Sequence, residues 1–272
     1  MARILIAALI CIFVACTSAF AGGAGNCVQP LKTTTKHIGV GAAGEYNYVH
    51  ERMNDLENKR GPRSMKVEKV NQIYGKGIIG LGDNVNFYGK AGVANYDLKF
   101  VDNPQDADME IDLKNGIYTG GGLNAHFPIT KIQSVALGVG FDLQSNFSYN
   151  EVDGITRSGQ AATLVDGSYY SVDGTNSLYL TCRYDINSLK TSIVPYVGGY
   201  SSWMVIGTAE GLSYQTTSTG FVEKEDFQAA FDFQSFGVLV GVDVDVLEYF
   251  NLNVEGRFIG ETAITTGATL KF

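Results

Sequence analysis

Charged residues stand at alternate positions within apolar segments of this chain, a spacing that suits ion pairing or ion binding. In the run F-G-V-L-V-G-V-D-V-D-V, which extends from Phe236 to Val246, every even position is apolar, whereas Asp243 and Asp245 are at odd positions. Successive side chains of a β-strand point to opposite faces, so both carboxylates are expected on one face. The same alternation assigns to that face a larger set of acids and bases: Glu45, Lys76, Lys90, Asp142, Arg183, Asp185, Glu255, Arg257 and Lys271.

Two kinds of chemistry are open to this set of charges. If the shared face lines a narrow interior, the charges must be paired to be tolerated there, and the result is a salt-bridged filling. Arg183, with Asp185 two positions along the same face, is the best candidate for the centre of such a filling. The alternative is a narrow pore in which rings of charge select ions.

A second acidic group lies between residues 102 and 112. Its last four members alternate and are predicted on the inner face of the strand that follows: Asp106, Asp108, Glu110 and Asp112. Carboxylate oxygens suit Ca²⁺ or Mg²⁺, but the spacing lacks the glycine and terminal glutamate of a calcium-binding loop. We favour a solvated acidic loop, because runs of charge usually face solvent. If the group lines a mouth instead, it would attract cations.

The histidines do not indicate an active site. The chain has three of them, and His37 and His126 fall near predicted short links. His50, beside Glu51 in a predicted long link, has no nucleophile close to it in sequence. Because a catalytic histidine needs a nucleophile or another partner within hydrogen-bond reach, the sequence predicts neither an enzyme nor a cofactor or metal site.

Alternating segments recur along most of the chain. Runs with period two, bounded by turn residues, predict ten strands, at Lys36–His50, Lys66–Leu81, Val85–Phe100, Ile111–Phe127, Ile132–Ser148, Asn176–Ile186, Ser192–Ile206, Phe227–Val246, Asn251–Phe258 and Ala263–Phe272. Short and long links alternate until the last link. An even number of strands with short turns at one rim and long loops at the other is typical of outer-membrane β-barrels. Eight strands remain the alternative, if the first segment or Asn251–Phe258 is not a strand.

The two faces of the predicted strands indicate which one points outward. A Lys or Arg exposed to lipid at the bilayer midplane costs about 2–4 kcal/mol, so the charged face is expected inside and the apolar face outside. The segment Ser192–Ile206 departs from this pattern, because both of its faces are apolar. Aromatic residues near strand ends predict a girdle at the membrane interfaces, made of Tyr46, Tyr48, Phe127, Tyr196, Tyr249, Phe250 and Phe272.

The N-terminal segment indicates export. Residues 1–21 combine Arg3, the apolar run Ile4–Ala15 and the A-x-A box that ends at Ala21, as a cleaved signal peptide does. Lipidation at Cys16 is a weaker alternative, because Phe13 fits the first position of a lipoprotein box poorly. We therefore expect a signal peptide at 1–21, a periplasmic tail at 22–35 and the barrel at 36–272.

Composition agrees with a single exported β-domain. The chain has 33 glycines, 5 prolines and 11% aromatic residues, as expected for a sheet protein with many turns. Removing Arg3 from 20 basic residues leaves 19 against 28 acidic ones, a net charge of −9, which argues against nucleic acid as a partner. Two cysteines remain after cleavage, Cys27 in the polar tail and Cys182 in a predicted strand, and we expect no bridge between them.

The C-terminal sequence carries a resemblance to a known class. The chain ends G-A-T-L-K-F, from Gly267 to Phe272. Together with the signal and the alternating strands, this ending resembles the small outer-membrane β-barrels of Gram-negative bacteria, the broad OmpA-like and opacity-protein class. The resemblance covers residues 36–272 and lies in pattern rather than in a sharp motif. It implies insertion in outer-membrane lipid, and it implies that Phe272 is read by the barrel-assembly machinery.

These observations predict an all-β, antiparallel transmembrane β-barrel in the outer membrane of a Gram-negative bacterium. Its expected role is structural or surface-interacting, with a polar lumen plugged by salt bridges. An extracellular ligand could bind the long loops, of which Tyr149–Thr175 is the largest. A small cation-preferring channel is the alternative function, and a soluble secreted β-sandwich is the alternative fold.

Overall fold

Strands and turns make up the part of the chain that the structure describes. The computed structural model describes residues 38–58, 61–82, 84–101, 109–157, 160–186, 190–208, 212–215, 222–225, 230–247 and 249–272. The predicted signal peptide and periplasmic tail lie outside these ranges. No helix in the described ranges is long and apolar enough to cross a bilayer.

The described strands follow the period-two segments of the sequence and are often longer. They are β1 (Ile38–Asn58), β2 (Gly61–Leu81), β3 (Val85–Val101), β4 (Met109–Leu113), β5 (Gly116–Ile132), β6 (Val135–Arg157), β7 (Gln160–Asp166), β8 (Ser168–Ile186), β9 (Thr191–Thr208), β10 (Leu212–Gln215), β11 (Val222–Glu225), β12 (Ala230–Val246), β13 (Phe250–Phe258) and β14 (Glu261–Lys271). Much of the predicted long loops therefore belongs to extensions of strands.

Ten of the described strands close into a ring. Its order is β1, β2, β3, β5, β6, β8, β9, β12, β13 and β14, and every neighbouring pair is antiparallel. The ring closes where β14 pairs with β1, with Thr266 opposite Tyr46. Because the short strand β13 pairs with both β12 and β14, the alternative of eight strands is wrong and the predicted ten-stranded barrel is confirmed.

Four short strands lie beyond the regular ring. Strand β4 continues the line of β5 between β3 and β6. Strand β7 pairs with the far end of β6, β10 pairs with β7, and β11 pairs with β10. The predicted loop Tyr149–Thr175 and part of the predicted loop after β9 therefore combine in one small sheet, which we call the projecting sheet (β7, β10 and β11).

The outward and inward faces exchange polarity along the barrel axis. Near the short turns the outward side chains are apolar and exposed, as at Ile73 and Leu178, each 61% exposed. Near the long links the outward face carries ion pairs, of which Lys99–Glu110 at 2.8 Å is one. There the inward face is apolar instead, with Leu98 and Ile111 fully buried. The half near the short turns, which we call the lower half, therefore suits lipid on its outer face. The half near the long links, which we call the upper half, suits water on its outer face.

Strand lengths agree with a boundary between these halves. A tilted transmembrane strand needs about 9–11 residues, and β13 has 9 and β14 has 11. Strands β1 and β2 have 21 residues each, so they continue well past the thickness of a membrane. Above the β13–β14 turn, β1 and β12 come into contact with each other. The barrel therefore spans a membrane with its lower half and projects from it with its upper half.

This boundary predicts opposite outcomes for the same charge at two outward positions. Val254 lies at the centre of β13, on the apolar half of the outer face. Val254→Lys is expected to lower the free energy of unfolding in lipid vesicles by about 2–4 kcal/mol. Asp112→Lys, on the outer face of the upper half, is expected to change it by less than about 0.5 kcal/mol. Urea titration in vesicles measures both, and equal losses would place the boundary elsewhere.

Candidate functional site: the filled lumen

Ion pairs lie in the lumen at the end near the short turns. Arg183 contacts Asp185 at 2.6 Å and Asp245 at 3.2 Å, and Lys271 contacts Asp245 at 2.7 Å. Ser192 joins the same group, donating to Asp185 and accepting from Arg183. We call this group the rim cluster. The Arg183 side chain is 21% exposed and lies at the end of β8, so the prediction that it forms the centre of the filling is wrong.

A second level of charges lies deeper in the lumen. The Lys76 ammonium contacts the Glu45 carboxylate at 2.6 Å, and the two side chains are 2% and 0% exposed. The same ammonium lies 4.4 Å from the centre of the Tyr88 ring. The Tyr88 hydroxyl donates to Asp142 at 2.9 Å. Charge, ring and carboxylate therefore form one connected arrangement from β1 to β6, which we call the central network.

Glycines on β5 allow the central network to reach from β3 to β6. Lys90 donates to Gln144, and its ammonium lies over the rings of Tyr74 and Tyr118 at 5.0 and 5.7 Å. Strand β5 separates β3 from β6, and a Cβ at its Gly122 would overlap the Tyr88 ring. Because Gly122 has no side chain, residues of β3 can reach across β5 and form hydrogen bonds with residues of β6.

The opposite wall completes the central network with tyrosines and carboxylates. The Tyr196 hydroxyl donates to Glu255 at 3.0 Å and accepts from Asn253 at 3.0 Å, and Asn253 also donates to Asp243 at 2.7 Å. The Tyr196 ring packs against Tyr179, with ring centres 5.5 Å apart. The central network thus covers both walls of the lumen.

Inward tyrosines lie across glycines of the neighbouring strand. Tyr179 is paired with Gly140, and Tyr196 is paired with Gly241, where a Cβ would overlap each ring. An aromatic ring laid over a cross-strand glycine covers backbone that the glycine leaves bare. Tyr196 is buried in the lumen, so its prediction as a girdle residue is wrong. Its sequence neighbours Pro195 and Val197 lie on the other face of β9. Tyr196 therefore lies on the inward face, opposite Gly241 of β12.

A third group of charges lies at the level of the β13–β14 turn. Arg257 contacts Glu261 at 2.9 Å, and Arg52 lies 3.9 Å from Glu261. The Arg257 guanidinium also stacks on the Tyr200 ring at 5.1 Å. Arg52 was missed by the sequence analysis because the predicted first strand ends at His50. In the structure the strand continues, and a β-bulge between Val49 and Glu51 changes the face of the residues after it. We call this group the upper pair cluster.

An apolar layer fills the lumen above the upper pair cluster. Its buried members come from strand ends and from the projecting sheet: Val67, Leu98, Met109, Ile111, Leu113, Val152, Ile155, Tyr169, Ile206 and Leu212. Leu164 of β7 packs against this layer. We call it the apolar cap. Alternation in the sequence puts Ile111 and Leu113 on one face. Many of the other members of the apolar cap, such as Val152 and Leu212, were assigned to loops by the sequence analysis.

The predicted acidic mouth is not where the sequence placed it. Glu110 and Asp112 are exposed on the outer face of β4, so their prediction as inner-face residues is wrong; Asp106 and Asp108 lie outside the described residues. Asp112 stands directly opposite Asp97 on β3. Burial raises the pKa of Asp97, and the Asp112 carboxylate adds to the rise while Lys69 opposes it. These acids form part of the solvent-facing surface of the upper half.

All eleven of the predicted lumen charges lie inside the barrel. Those in the central network, the upper pair cluster or the rim cluster are buried or half-buried: Glu45, Lys76, Lys90, Asp142, Arg183, Asp185, Asp243, Asp245, Glu255, Arg257 and Lys271. Asp173, which accepts from Asn146 at 2.9 Å, and Glu261 join them although the sequence analysis placed both in links. Alternation assigned each of these eleven charges to the face on which the structure places it.

The remaining candidate residues lie apart from the lumen charges. His50 is exposed on β1, whereas His126 lies inside near the short turns and contacts Thr181 at 2.7 Å. Cys182 has a free thiol, and Cys27 and His37 lie outside the described residues. Phe272 is exposed, and its backbone N–H donates to the Val40 carbonyl at 2.9 Å, which anchors the C-terminus to β1.

Comparison with solved structures finds outer-membrane barrels. The chain is similar to the outer membrane protease OmpT from Escherichia coli, at 12% identity over 89% of this chain and 99% of that chain, with a TM-score of 0.45. It is similar to the outer membrane protein OprG from Pseudomonas aeruginosa, at 12% identity over 87% and 96%, with a TM-score of 0.36. It is also similar to the transport unit of the autotransporter AIDA-I from Escherichia coli, at 10% identity over 90% and 93%, with a TM-score of 0.34.

No protein-family model and no curated protein matches the chain. The likeness to these solved structures concerns the fold alone. The strand pairing of the chain itself establishes the closed antiparallel barrel, and its outward apolar half establishes the surface that meets lipid.

Proposed function

We propose that this chain is an integral outer-membrane β-barrel with a closed lumen, which acts at the cell surface through its projecting upper half. The observation that carries the proposal is the succession of four fillings along the axis, from the rim cluster through the central network and the upper pair cluster to the apolar cap. A solute would have to displace all four. We infer that the protein is not an enzyme, since no catalytic motif surrounds its three histidines in the sequence.

The dimensions of the ring support closure. Side chains already fill an eight-stranded barrel, and ten strands leave a lumen only slightly wider. Here large side chains occupy that extra width, with Tyr74, Tyr88 and Tyr118 on one wall and Tyr179 and Tyr196 on the other. The buried Glu45 carboxylate and Lys76 ammonium form an ion pair with each other, so neither charge is exposed to a passing ion.

The upper half supports a role at the surface. Loops and strand ends on a rigid scaffold commonly carry binding function, and the apolar cap holds the projecting sheet firmly on this barrel. We propose that an extracellular ligand binds there, that the lower half lies in outer-membrane lipid, and that the barrel-assembly machinery reads β14 and Phe272. Export through a cleaved signal peptide at 1–21 completes the proposal.

A small cation-preferring channel is the second candidate, favoured by the charge of the lumen. The acids that line it in the described strands outnumber the bases. They are Glu45, Asp142, Asp173, Asp185, Asp243, Asp245, Glu255 and Glu261, against Arg52, Lys76, Lys90, Arg183, Arg257 and Lys271. An acidic lining concentrates cations, so a conducting form would prefer them.

Conductance in planar bilayers separates these two functions. The refolded protein is expected to be silent, and Arg183→Ala is expected to stay silent because the three fillings above the rim cluster remain. Heat-modifiable mobility on gels and protection from added protease show that each sample is folded and inserted. Stable, cation-preferring steps from the unmodified protein would overturn the closed lumen and establish the channel.

A further inference from the structure

A cavity lies between the central network and the apolar cap. Tyr74, Lys90 and Tyr118 of the central network line it, together with Val67 of the apolar cap and with Val70 and Met204. The space open to the centres of water molecules inside it is about 40 Å³. One water centre needs about 10–15 Å³, so the cavity has room for roughly three water molecules.

Besides Glu261 Oε1, which is in ion-pair contact with Arg257, four polar atoms of residues that line this cavity have no hydrogen-bond partner among the described residues. They are Arg52 Nη2, Asn146 Oδ1, Asp173 Oδ1 and Arg257 Nε. Arg52, Asn146 and Arg257 are each more than nine-tenths buried. Buried polar groups in folded proteins are almost always hydrogen-bonded, to protein or to ordered water, because an unpaired one costs free energy.

The other atoms of these side chains are already used. Arg257 directs Nη2 to Glu261 at 2.9 Å, and Asn146 directs Nδ2 to Asp173 Oδ2 at 2.9 Å. These contacts hold both side chains in place and leave Arg257 Nε and Asn146 Oδ1 for a further partner. Strands β1, β6, β8 and β13 hold these atoms, so they converge from several sides of the barrel.

The chemistry of the four atoms restricts what can satisfy them. Arg52 Nη2 and Arg257 Nε are N–H donors, whereas Asn146 Oδ1 and Asp173 Oδ1 are acceptors. A bare cation would leave the two donors unpaired, and a simple anion would leave the two acceptors unpaired. Only a ligand that both donates and accepts can pair with all four, and water does both in a space of this size.

We propose that this cavity binds a cluster of about three ordered water molecules, which bridges Arg52 and Arg257 to Asn146 and Asp173. The cluster connects the polar filling of the membrane-spanning half to the apolar cap of the projecting half. It explains how two arginines that share Glu261 as an ion-pair partner are tolerated at that junction. The proposal does not depend on whether the barrel conducts.

Counting long-lived waters tests the proposal directly. Magnetic relaxation dispersion of water nuclei is measured on the full chain refolded in detergent, for the unmodified protein and for Val70→Phe, which fills the cavity without removing a polar group. The filled variant is expected to lose about three long-lived waters. Val49→Phe, from the neighbouring strand, serves if Val70→Phe does not fold, and Val194→Ile, a buried change away from the cavity, is expected to lose none.

A high-resolution crystal structure of the same protein provides the second measurement. Density peaks are expected within hydrogen-bond distance of Arg52 Nη2, Arg257 Nε, Asn146 Oδ1 and Asp173 Oδ1. Equal water counts in the unmodified and filled proteins, a dry cavity, direct pairing of the four atoms, or density for an ion or organic solute would each overturn the proposal.

Discussion

Replacing Lys76 by methionine is expected to lower the free energy of unfolding by about 3–5 kcal/mol. The Glu45 carboxylate is fully buried and pairs with the Lys76 ammonium at 2.6 Å. Methionine keeps the length of the side chain but removes the charge, so a buried carboxylate is left without its ion pair. Urea unfolding of the refolded barrel in lipid vesicles, followed by tryptophan fluorescence and gel mobility, measures the loss.

The outer face provides a matched control for this prediction. Lys66 pairs with Glu51 at 2.9 Å, but these side chains are 32% and 43% exposed. Lys66→Met removes the same charge from an ion pair that water can replace, so it is expected to cost less than about 1 kcal/mol. The double variant Glu45→Gln with Lys76→Met is expected to recover part of the loss. Similar losses for Lys76→Met and Lys66→Met would contradict a central network that depends on burial.

Shortening Leu212 to alanine is expected to loosen the projecting sheet from the barrel, at a cost of about 2–5 kcal/mol to its local stability. Leu212 is fully buried in the apolar cap, where it lies near Val152 and Leu164 around Gly167. Alanine removes most of that contact and leaves a void in a packed layer. The change should appear as faster cleavage of the upper half by protease added to intact vesicles.

Val165→Ala is the control for the apolar cap. Val165 lies on the same sheet, in β7, but is 56% exposed. Its truncation is expected to leave the cleavage rate within about twofold of the unmodified protein, because exposed substitutions change stability by less than about 0.5 kcal/mol. Equal acceleration by Leu212→Ala and Val165→Ala would show that the cap does not hold the sheet.

These two experiments examine opposite halves of one continuous ring. In the lower half, lipid outside favours apolar outward residues and leaves the interior to paired charges. In the upper half, water outside favours ion pairs such as Lys114–Glu151, and the interior becomes an apolar core like that of a soluble β-barrel. The same strands serve both halves, and the β-bulges in β1 and β2 lie close to the change.

A closed lumen, as we propose, changes which part of the protein is expected to interact with other molecules. A pore exposes its interior to solutes, whereas this interior is occupied by side chains from every strand of the ring. The outward acids near Asp97 and Asp112 and the projecting sheet are then the surfaces left for an extracellular partner. The conductance measurement and the protease measurement therefore examine the two sides of the same proposal.

Much of the membrane-spanning half was predictable from sequence alone. Period-two alternation is a local property of any strand, so it identified Asp243 and Asp245 as sharing a face opposite the valines. The cost of a charge in lipid then assigned that face to the interior. The ten-strand count followed from turn spacing, and the structure confirms it through the pairing of β13 with both neighbours.

The tertiary structure decided what depends on position along the barrel axis. Glu110 and Asp112 alternate as regularly as Asp243 and Asp245, yet they face outward. Residues 114–115 interrupt the alternation between β4 and β5, and above the lipid the charged side chains are favoured on the outer face. Arg52 turns inward only because a β-bulge inserts one residue before it. Alternation shows which residues share a face, but the solvent on each side of the wall decides which face is inside, and that solvent changes with height.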